Sequence, residues 1–207
     1  MTKNIGVIFK KIPNSGFPSK TEHMEIVHRD IDIQNYELFD GDILVKNLYM
    51  SVDPYMLGRM RDPSIPSYIS AFNVGHVLED TGISEVIKSK SDKFEVGDLI
   101  YAMIGWEHYT YIPASNIATT VLAPLPGARE SMARIPLSYY VGILGIPGMT
   151  AYAGLKEIGK PKAGETIFIS AAAGAVGSIV GQMAKLEGLR VVGSIVRNEK
   201  SSFSLMS

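Results

Sequence analysis

The 207-residue sequence contains no cysteine. That excludes disulfides, thiolate nucleophiles, iron–sulfur clusters and every cysteine-containing zinc site, and it fits a reducing compartment, so a cytoplasmic location is expected. An excess of either charge is also missing: 20 Lys plus Arg stand against 21 Asp plus Glu, a formal net charge of −1. No global field draws in nucleic acid or anionic lipid, so neither is expected as a partner and any anion site must be local. Histidines are few, and His23, His28, His76 and His108 show no H-E-x-x-H spacing that would hold a metal. There is no internal repeat and no low-complexity tract, and 46% hydrophobic with 20% charged residues is a globular composition. The uncharged runs over 135–155 and 166–184 reach bilayer length. The first is interrupted by Pro136, Pro147 and several glycines, and the second changes from Thr166-Ile167-Phe168-Ile169 to Ala and Gly, so both read as soluble core and no membrane span is expected. The apolar stretch near the N-terminus is too short for a signal-peptide core and reads as a first strand.

What is present divides in two. Up to about residue 120, short apolar runs alternate with turn signals at Asp40-Gly41-Asp42, Gly75-His76, Asp80-Thr81-Gly82 and Gly97-Asp98, which predicts a small β-rich domain. Ile43 to Met50 reads as a strand broken at Ser51-Val52-Asp53-Pro54, since proline restricts the residue before it. Phe94 to Tyr101 reads as turn then strand. From Pro136 onward Tyr139, Tyr140, Ile143 and Leu144 fall at helical spacing, and Gly148 to Leu155 opens another helix. Pro124, Pro126 and Gly127 mark a linker. The expected organisation is an α/β chain with a β-rich domain over 1–125 and a second domain over 126–207.

The second domain holds the densest chemical signal. Glu165 to Ser170 is a short apolar strand of the type parallel sheets bury on both faces. Ala171-Ala172-Ala173-Gly174-Ala175-Val176-Gly177 follows, then a helix from Ser178 through Glu187, then a strand from Leu189 to Ser194. A dinucleotide pyrophosphate requires this order. Small residues let backbone N–H groups approach the anion, and the helix N-terminus adds partial positive charge. Ala172-x-Gly174-x-x-Gly177 lacks the first glycine of G-x-G-x-x-G but has the strand–helix–strand setting that confirms such a motif. The competing explanation is a tight turn that only packs helix on sheet. No acidic residue ends the second strand to hold the ribose hydroxyls of NAD. Ser194, Arg197 and Lys200 instead offer a hydroxyl and two cations to a 2′-phosphate, which favours NADP, unless the two cations are ordinary solvated surface.

The chain resembles the medium-chain dehydrogenase/reductases, specifically the zinc-free NADP-dependent alkenal double-bond reductases that include leukotriene and prostaglandin reductases. The resemblance rests on Asn47 to Met56 (NLYMSVDPYM) with Gly58-Arg59-Met60, on Trp106-Glu107-His108-Tyr109, on Ile135 to Leu155 and on Ala171 to Lys185, and it covers residues 1 to about 200. It implies a GroES-like first domain followed by a nicotinamide-binding Rossmann domain. It also implies that NADPH delivers hydride to the β-carbon of an α,β-unsaturated aldehyde or ketone, with the enolate held by hydrogen bonding. Pro54 and Tyr55 then line the nicotinamide and substrate pocket, with Tyr55 the candidate catalytic residue. Met149 and Thr150 contact the nicotinamide side, Ala171 to Gly177 form the pyrophosphate loop, and Lys200 takes the 2′-phosphate. Without the resemblance, Tyr55 reads more readily as an aromatic filling core than as a pocket residue.

Three departures from the family stand out. Val196 replaces a glycine, and a β-branched residue does not readily adopt positive φ. Thr81 stands where related reductases can have a substrate-lining tyrosine. The chain ends in a polar tail after only 43 residues from Glu165, room for one strand–helix–strand unit, so an incomplete Rossmann domain and a truncated or alternatively spliced form are expected. The alternatives in function are an NADPH-dependent quinone oxidoreductase and, in a different class, an inactive fragment or subunit-pairing module; a full-length form is a candidate homodimer.

Overall fold

The computed structural model describes residues 1–14, 16–125, 135–197 and 200–205, and the chain divides into two compact units, Met1–Leu137 and Ser138–Ser207. The expected linker residues Pro126 and Gly127 lie outside the described residues.

In the first unit, short apolar runs form β1 (Thr2–Phe9), β2 (Met24–Ile31), β3 (Ile43–Met50), β4 (Glu79–Ser89), β5 (Leu99–Gly105), β6 (Tyr109–Ile112) and β7 (Val121–Pro124). The last five make one sheet in the order β6-β3-β4-β5-β7, with every neighbour antiparallel. β1 and β2 pair separately. Bridges from Gly6 to Glu107 and from Ile8 to Val77 tie this hairpin to segments flanking the larger sheet. One buried cluster joins Ile43, Val45, Val86, Phe94, Ile100, Ala102, Ile104 and Ile112. A second, of Phe9, Met56, Met60, Phe72 and Leu78, packs beneath the short helix α1 (Tyr55–Arg59). Pro54 opens that helix with φ −58°, the value its ring pre-sets for a helical start.

Two expectations about this unit change. Asp80-Thr81-Gly82 is not a turn but the buried interior of β4, paired with Ile104, Met103 and Ala102 of β5. Gly82 is tolerated in the strand because a Cβ there would lie 2.5 Å from the Tyr49 carbonyl oxygen, a separation only a residue without a side chain permits. Pro124, expected to mark a linker, closes β7, which pairs with β5 as an edge strand, a position that tolerates proline.

The turn before β3 is held by a buried carboxylate. Asp42 accepts the amides of Phe39 and Ala114, both at 2.9 Å, and the Tyr111 hydroxyl at 2.7 Å. Ala114 begins α2 (Ala114–Thr120), so one side chain links a turn, a strand and a helix.

In the second unit a 3-10 segment (Leu137–Val141) leads to α3 (Ile146–Tyr152), which continues into a π-helical turn over Ala153–Gly159. β8 (Thr166–Ile169), α4 (Ala175–Leu186) and β9 (Arg190–Arg197) then form a parallel strand–helix–strand unit, with Thr166 opposite Arg190 and Ile169 opposite Gly193. Leu155, Ile169, Ala172, Ala184, Leu189 and Val191 form its core. The mixed α/β class is the expected one. The two long uncharged runs resolve into these short elements, and no described helix is long and apolar enough to cross a membrane.

The end of the chain differs from expectation. β9 runs on to Arg197 instead of stopping at Ser194, and the polar tail forms β10 (Lys200–Leu205), antiparallel to β9. Ile195 and Val196 explain the extension, because β-branched side chains favour extended backbone. The sheet order is β10-β9-β8, and among the described residues no strand pairs with the other side of β8.

The three donors on Asp42 hold its pKa below the ordinary carboxylate range, the Tyr111 hydroxyl most strongly. Stability from this group is therefore present above the unfolded-state pKa and lost as pH falls through the folded value. Asp42→Asn is expected to be less stable than the parent at pH 7 and to lose less on acidification below about pH 4, measured by urea unfolding at both pH values.

Candidate functional site

The turn after β8 is the first candidate. Its path is set by close backbone approach. The Ala172 amide donates to the Ser194 carbonyl of β9 at 2.9 Å, and the Gly174 amide donates to the Ala171 carbonyl at 2.8 Å. Ala171 sits at φ 50°, the left-handed region glycine enters without cost. The residue that would gain from glycine is thus Ala171, one position before the alanine that replaces the motif's first glycine. A Cβ on Gly177 would lie 2.6 Å from the Ala171 carbonyl oxygen and 2.9 Å from the Ala172 Cα, so only glycine lets the first turn of α4 sit this close to the end of β8.

The helix that follows is open at its start. Gly174 is the N-cap, no side chain caps the helix, and its first turn carries no acidic residue. The Ser178 amide makes the first intrahelical bond, to the Gly174 carbonyl at 2.9 Å, so Ala175, Val176 and Gly177 present amides without an intrahelical acceptor. Ala171, Ala173, Gly174 and Ala175 are exposed. The fit to an anionic diphosphate rests on this geometry: unscreened amides, the positive end of a helix dipole, and no side chain in the way.

The remaining second-unit residues take distinct places. Ser194 lies inside β9, joined to the loop through its carbonyl, and pairs with Phe203. Arg197 and Lys200 face each other in register across the β9–β10 connection; their side chains lie outside what the structure describes. Met149 and Thr150 are exposed on α3, which packs on α4. The structure therefore brings Ala171–Gly177 and Ser194 together directly, and Met149 and Thr150 to the neighbouring helix.

The second candidate lies in the first unit, around Tyr55. Pro54 is exposed at the start of α1, and Tyr55 is half-buried against the Phe9–Phe72 cluster. The Tyr55 hydroxyl donates to Asp80 Oδ1 at 2.5 Å, and the Thr81 amide donates to the same oxygen at 2.6 Å. Asp80 is wholly buried, and its Oδ2, together with Asp53 Oδ2 and Thr81 Oγ1, is buried without a hydrogen-bond partner. Burial and then the Asp80 hydrogen bond push the Tyr55 phenol well above its ordinary value. Burial, joined by the negative charge of Asp53, likewise raises Asp80 above the usual carboxylate range, against the lowering pull of its hydrogen bonds, that from Tyr55 first. Four residues on, buried Arg59 pairs with Glu79 at 2.6 Å, donates from Nε to the Ser70 carbonyl at 3.1 Å and lies 4.0 Å over the Phe72 ring. This clamp fixes α1, and with it Tyr55, against the start of β4.

Sequence reading singled out Tyr55 but missed Asp80 and Asp53. Local sequence gives no signal for Asp80, which sits beside Glu79 and Thr81 in a mixed segment, and its partner lies 25 residues away. Among the described residues no group of three or more His, Asp or Glu could hold a metal ion.

Comparison with known proteins gives a consistent picture. A family described as the N-terminal domain of oxidoreductase matches residues 7–120. A zinc-type alcohol dehydrogenase-like protein of Schizosaccharomyces pombe is 42% identical over all of this chain and 58% of its own length. A 2-alkenal reductase (NADP(+)-dependent) of Nicotiana tabacum is 44% identical over 90% of this chain and 51% of its own. Among solved structures, CurA from Vibrio vulnificus in complex with NADPH superposes with a TM-score of 0.73 at 33% identity, covering 91% of this chain and 51% of that one. The chain spans about half the length of the curated relatives it matches.

Gly177→Ala tests the cradle. The added methyl forces backbone apart, at an expected cost of about 1–3 kcal/mol, and dinucleotide affinity measured by calorimetry is expected to drop at least about tenfold, with the circular dichroism of the β-rich unit unchanged.

Proposed function

Because this chain belongs to the medium-chain dehydrogenase/reductase family, through the oxidoreductase N-terminal domain at residues 7–120, we propose that it binds NADPH and serves reduction of the α,β-double bond of alkenals and enones. The carrying observation is the first turn of α4, which no side chain caps and which carries no acidic residue, closed against β8 by Gly177. In this reading Ala171 to Gly177 bind the pyrophosphate through backbone amides in a Rossmann-type half-sheet. Ser194, Arg197 and Lys200 hold the 2′-phosphate, for which the pairing of Arg197 with Lys200 across a short connection brings two cationic residues to one end of the sheet. Nicotinamide contacts are assigned by the family resemblance to Met149 and Thr150 in the second unit and, separately, to Pro54 and Tyr55 in the first.

When bound, reduced nicotinamide supplies a hydride to the β-carbon. The protein's own part is positioning and hydrogen bonding, without a metal, since the sequence has no cysteine to build the thiolate zinc sites of related alcohol dehydrogenases. The expected setting is the cytoplasm, with small enals or enones as substrates. The flank of β8 that no strand pairs among the described residues favours a second reading, a binding or subunit-pairing unit that does not turn over substrate.

Calorimetry with NADPH and NADH is the direct test. NADPH is expected to bind at least about tenfold more tightly, since even one charge-assisted contact to the extra phosphate contributes about 1.5–3 kcal/mol, and the preference should shrink as salt rises. Equal affinities would remove the 2′-phosphate assignment. Following NADPH absorbance with an enone and with a quinone then separates the readings: consumption with quinone alone favours a quinone oxidoreductase, and binding without consumption favours the non-catalytic unit.

A further inference from the structure

The bond between Tyr55 and Asp80 has a direction, and the direction has chemical consequences. Asp80 Oδ1 already accepts the Thr81 amide, so it faces Tyr55 as an acceptor whether or not a proton sits on Oδ2. A phenol has one hydrogen to give. With that hydrogen committed inward at 2.5 Å and the Arg59 guanidinium already drawn toward the phenol oxygen, only acceptor capacity is left on Tyr55, and it meets a ligand as an acceptor. An unrestrained tyrosine would rotate its hydroxyl and donate to a carbonyl as readily as it accepts.

We propose that Asp80 is a positioning residue that locks the Tyr55 hydroxyl inward, so that this face of the first unit selects ligands presenting an N–H or O–H donor over those presenting only a carbonyl. The ligand class includes the primary carboxamide of a pyridine ring; the inference rests on the reading above that Tyr55 flanks a nicotinamide. The geometry around the pair supports a lock. Asp80 is fixed inside β4 by its pairing with Ile104. Tyr55 is fixed on α1, which the Arg59–Glu79 ion pair and the Phe72 amide bond to the Arg59 carbonyl, 2.7 Å, anchor to the same strand and its lead-in loop. The charged groups bearing on the pair are Asp53 and Arg59.

Nicotinamide and 3-acetylpyridine make a matched pair of probes, because they share the ring and differ in replacing the amide nitrogen with a methyl group that cannot donate. The full chain, labelled at the tyrosine ring Cζ and with Tyr55 assigned by its loss in Tyr55→Phe, is titrated with each by NMR. The wild type is expected to prefer nicotinamide roughly three- to tenfold, the range of one hydrogen bond. Asp80→Asn keeps an acceptor oxygen in place and should retain the preference, whereas Asp80→Ala and Tyr55→Phe should bring it close to unity. Without any ligand, Tyr55 in the wild type should stay protonated where exposed tyrosines ionise, and in Asp80→Asn it should ionise at lower pH.

A wild-type Tyr55 that titrates with the exposed tyrosines, or equal response to both probes, or no response to either, overturns the proposal. The first readout needs no ligand and no variant, so misfolding of Asp80→Ala leaves the outcome decided. NADPH calorimetry on the same samples keeps the two claims separate. A chain that ignores NADPH yet discriminates the probes at Tyr55 loses the nicotinamide dinucleotide reading and keeps this one; a chain that binds NADPH with a freely titrating Tyr55 does the reverse.

Discussion

The second unit depends on how closely a helix can approach a strand. Gly177 brings the first turn of α4 so close that a Cβ there would lie 2.6 Å from the Ala171 carbonyl oxygen and 2.9 Å from the Ala172 Cα, and the Ala172 amide in turn reaches across to β9. Strand, turn, helix and neighbouring strand are joined at this one point. The same closeness that packs α4 on the sheet goes with a helix start that no side chain caps, so its leading amides are left without an intrahelical acceptor. Ala171 supports the arrangement at some expense in backbone strain, by adopting positive φ without being glycine.

The first unit follows a different logic, in which buried polar side chains do the joining. Asp42 gathers a turn, a strand and a helix. Arg59 gathers α1, the segment around Ser70 and the start of β4. Asp80 gathers Tyr55 and its own strand. Each is buried in surroundings where an unmet donor or acceptor is costly, so each tolerates few rotamers once its partners are in place. The pair at Tyr55 is the exception in this set, since the oxygens around it on Asp53, Asp80 and Thr81 are buried without a hydrogen-bond partner.

What the sequence discloses tracks whether the relevant physics is local. The β8–turn–α4–β9 order is readable because small residues at fixed spacing have one dominant use, and Ile43 to Met50 is readable because a proline ends an apolar run. Asp80-Thr81-Gly82 misleads for the same reason: those residue types signal a turn locally, and only the partners Tyr55, Tyr49 and Ile104, distant in sequence, convert them to strand interior. The tail is misread because three serines look solvated, while Ile195 and Val196 on the opposing strand draw them into a ladder. Tyr55 was reached from its motif; what holds its hydroxyl was not, because nothing at positions 51–60 specifies a carboxylate 25 residues on.

The hairpin between β9 and β10 gives the small sheet a polarity of growth. β10 covers one flank of β9, so among the described residues the sheet has two outer edges, β8, which runs with β9, and β10, which runs against it. A polypeptide that pairs with β9 itself has to displace six residues of existing ladder, whereas one that pairs at either outer edge displaces none of it. The hairpin therefore reverses the strand direction offered at one border and leaves it unchanged at the other.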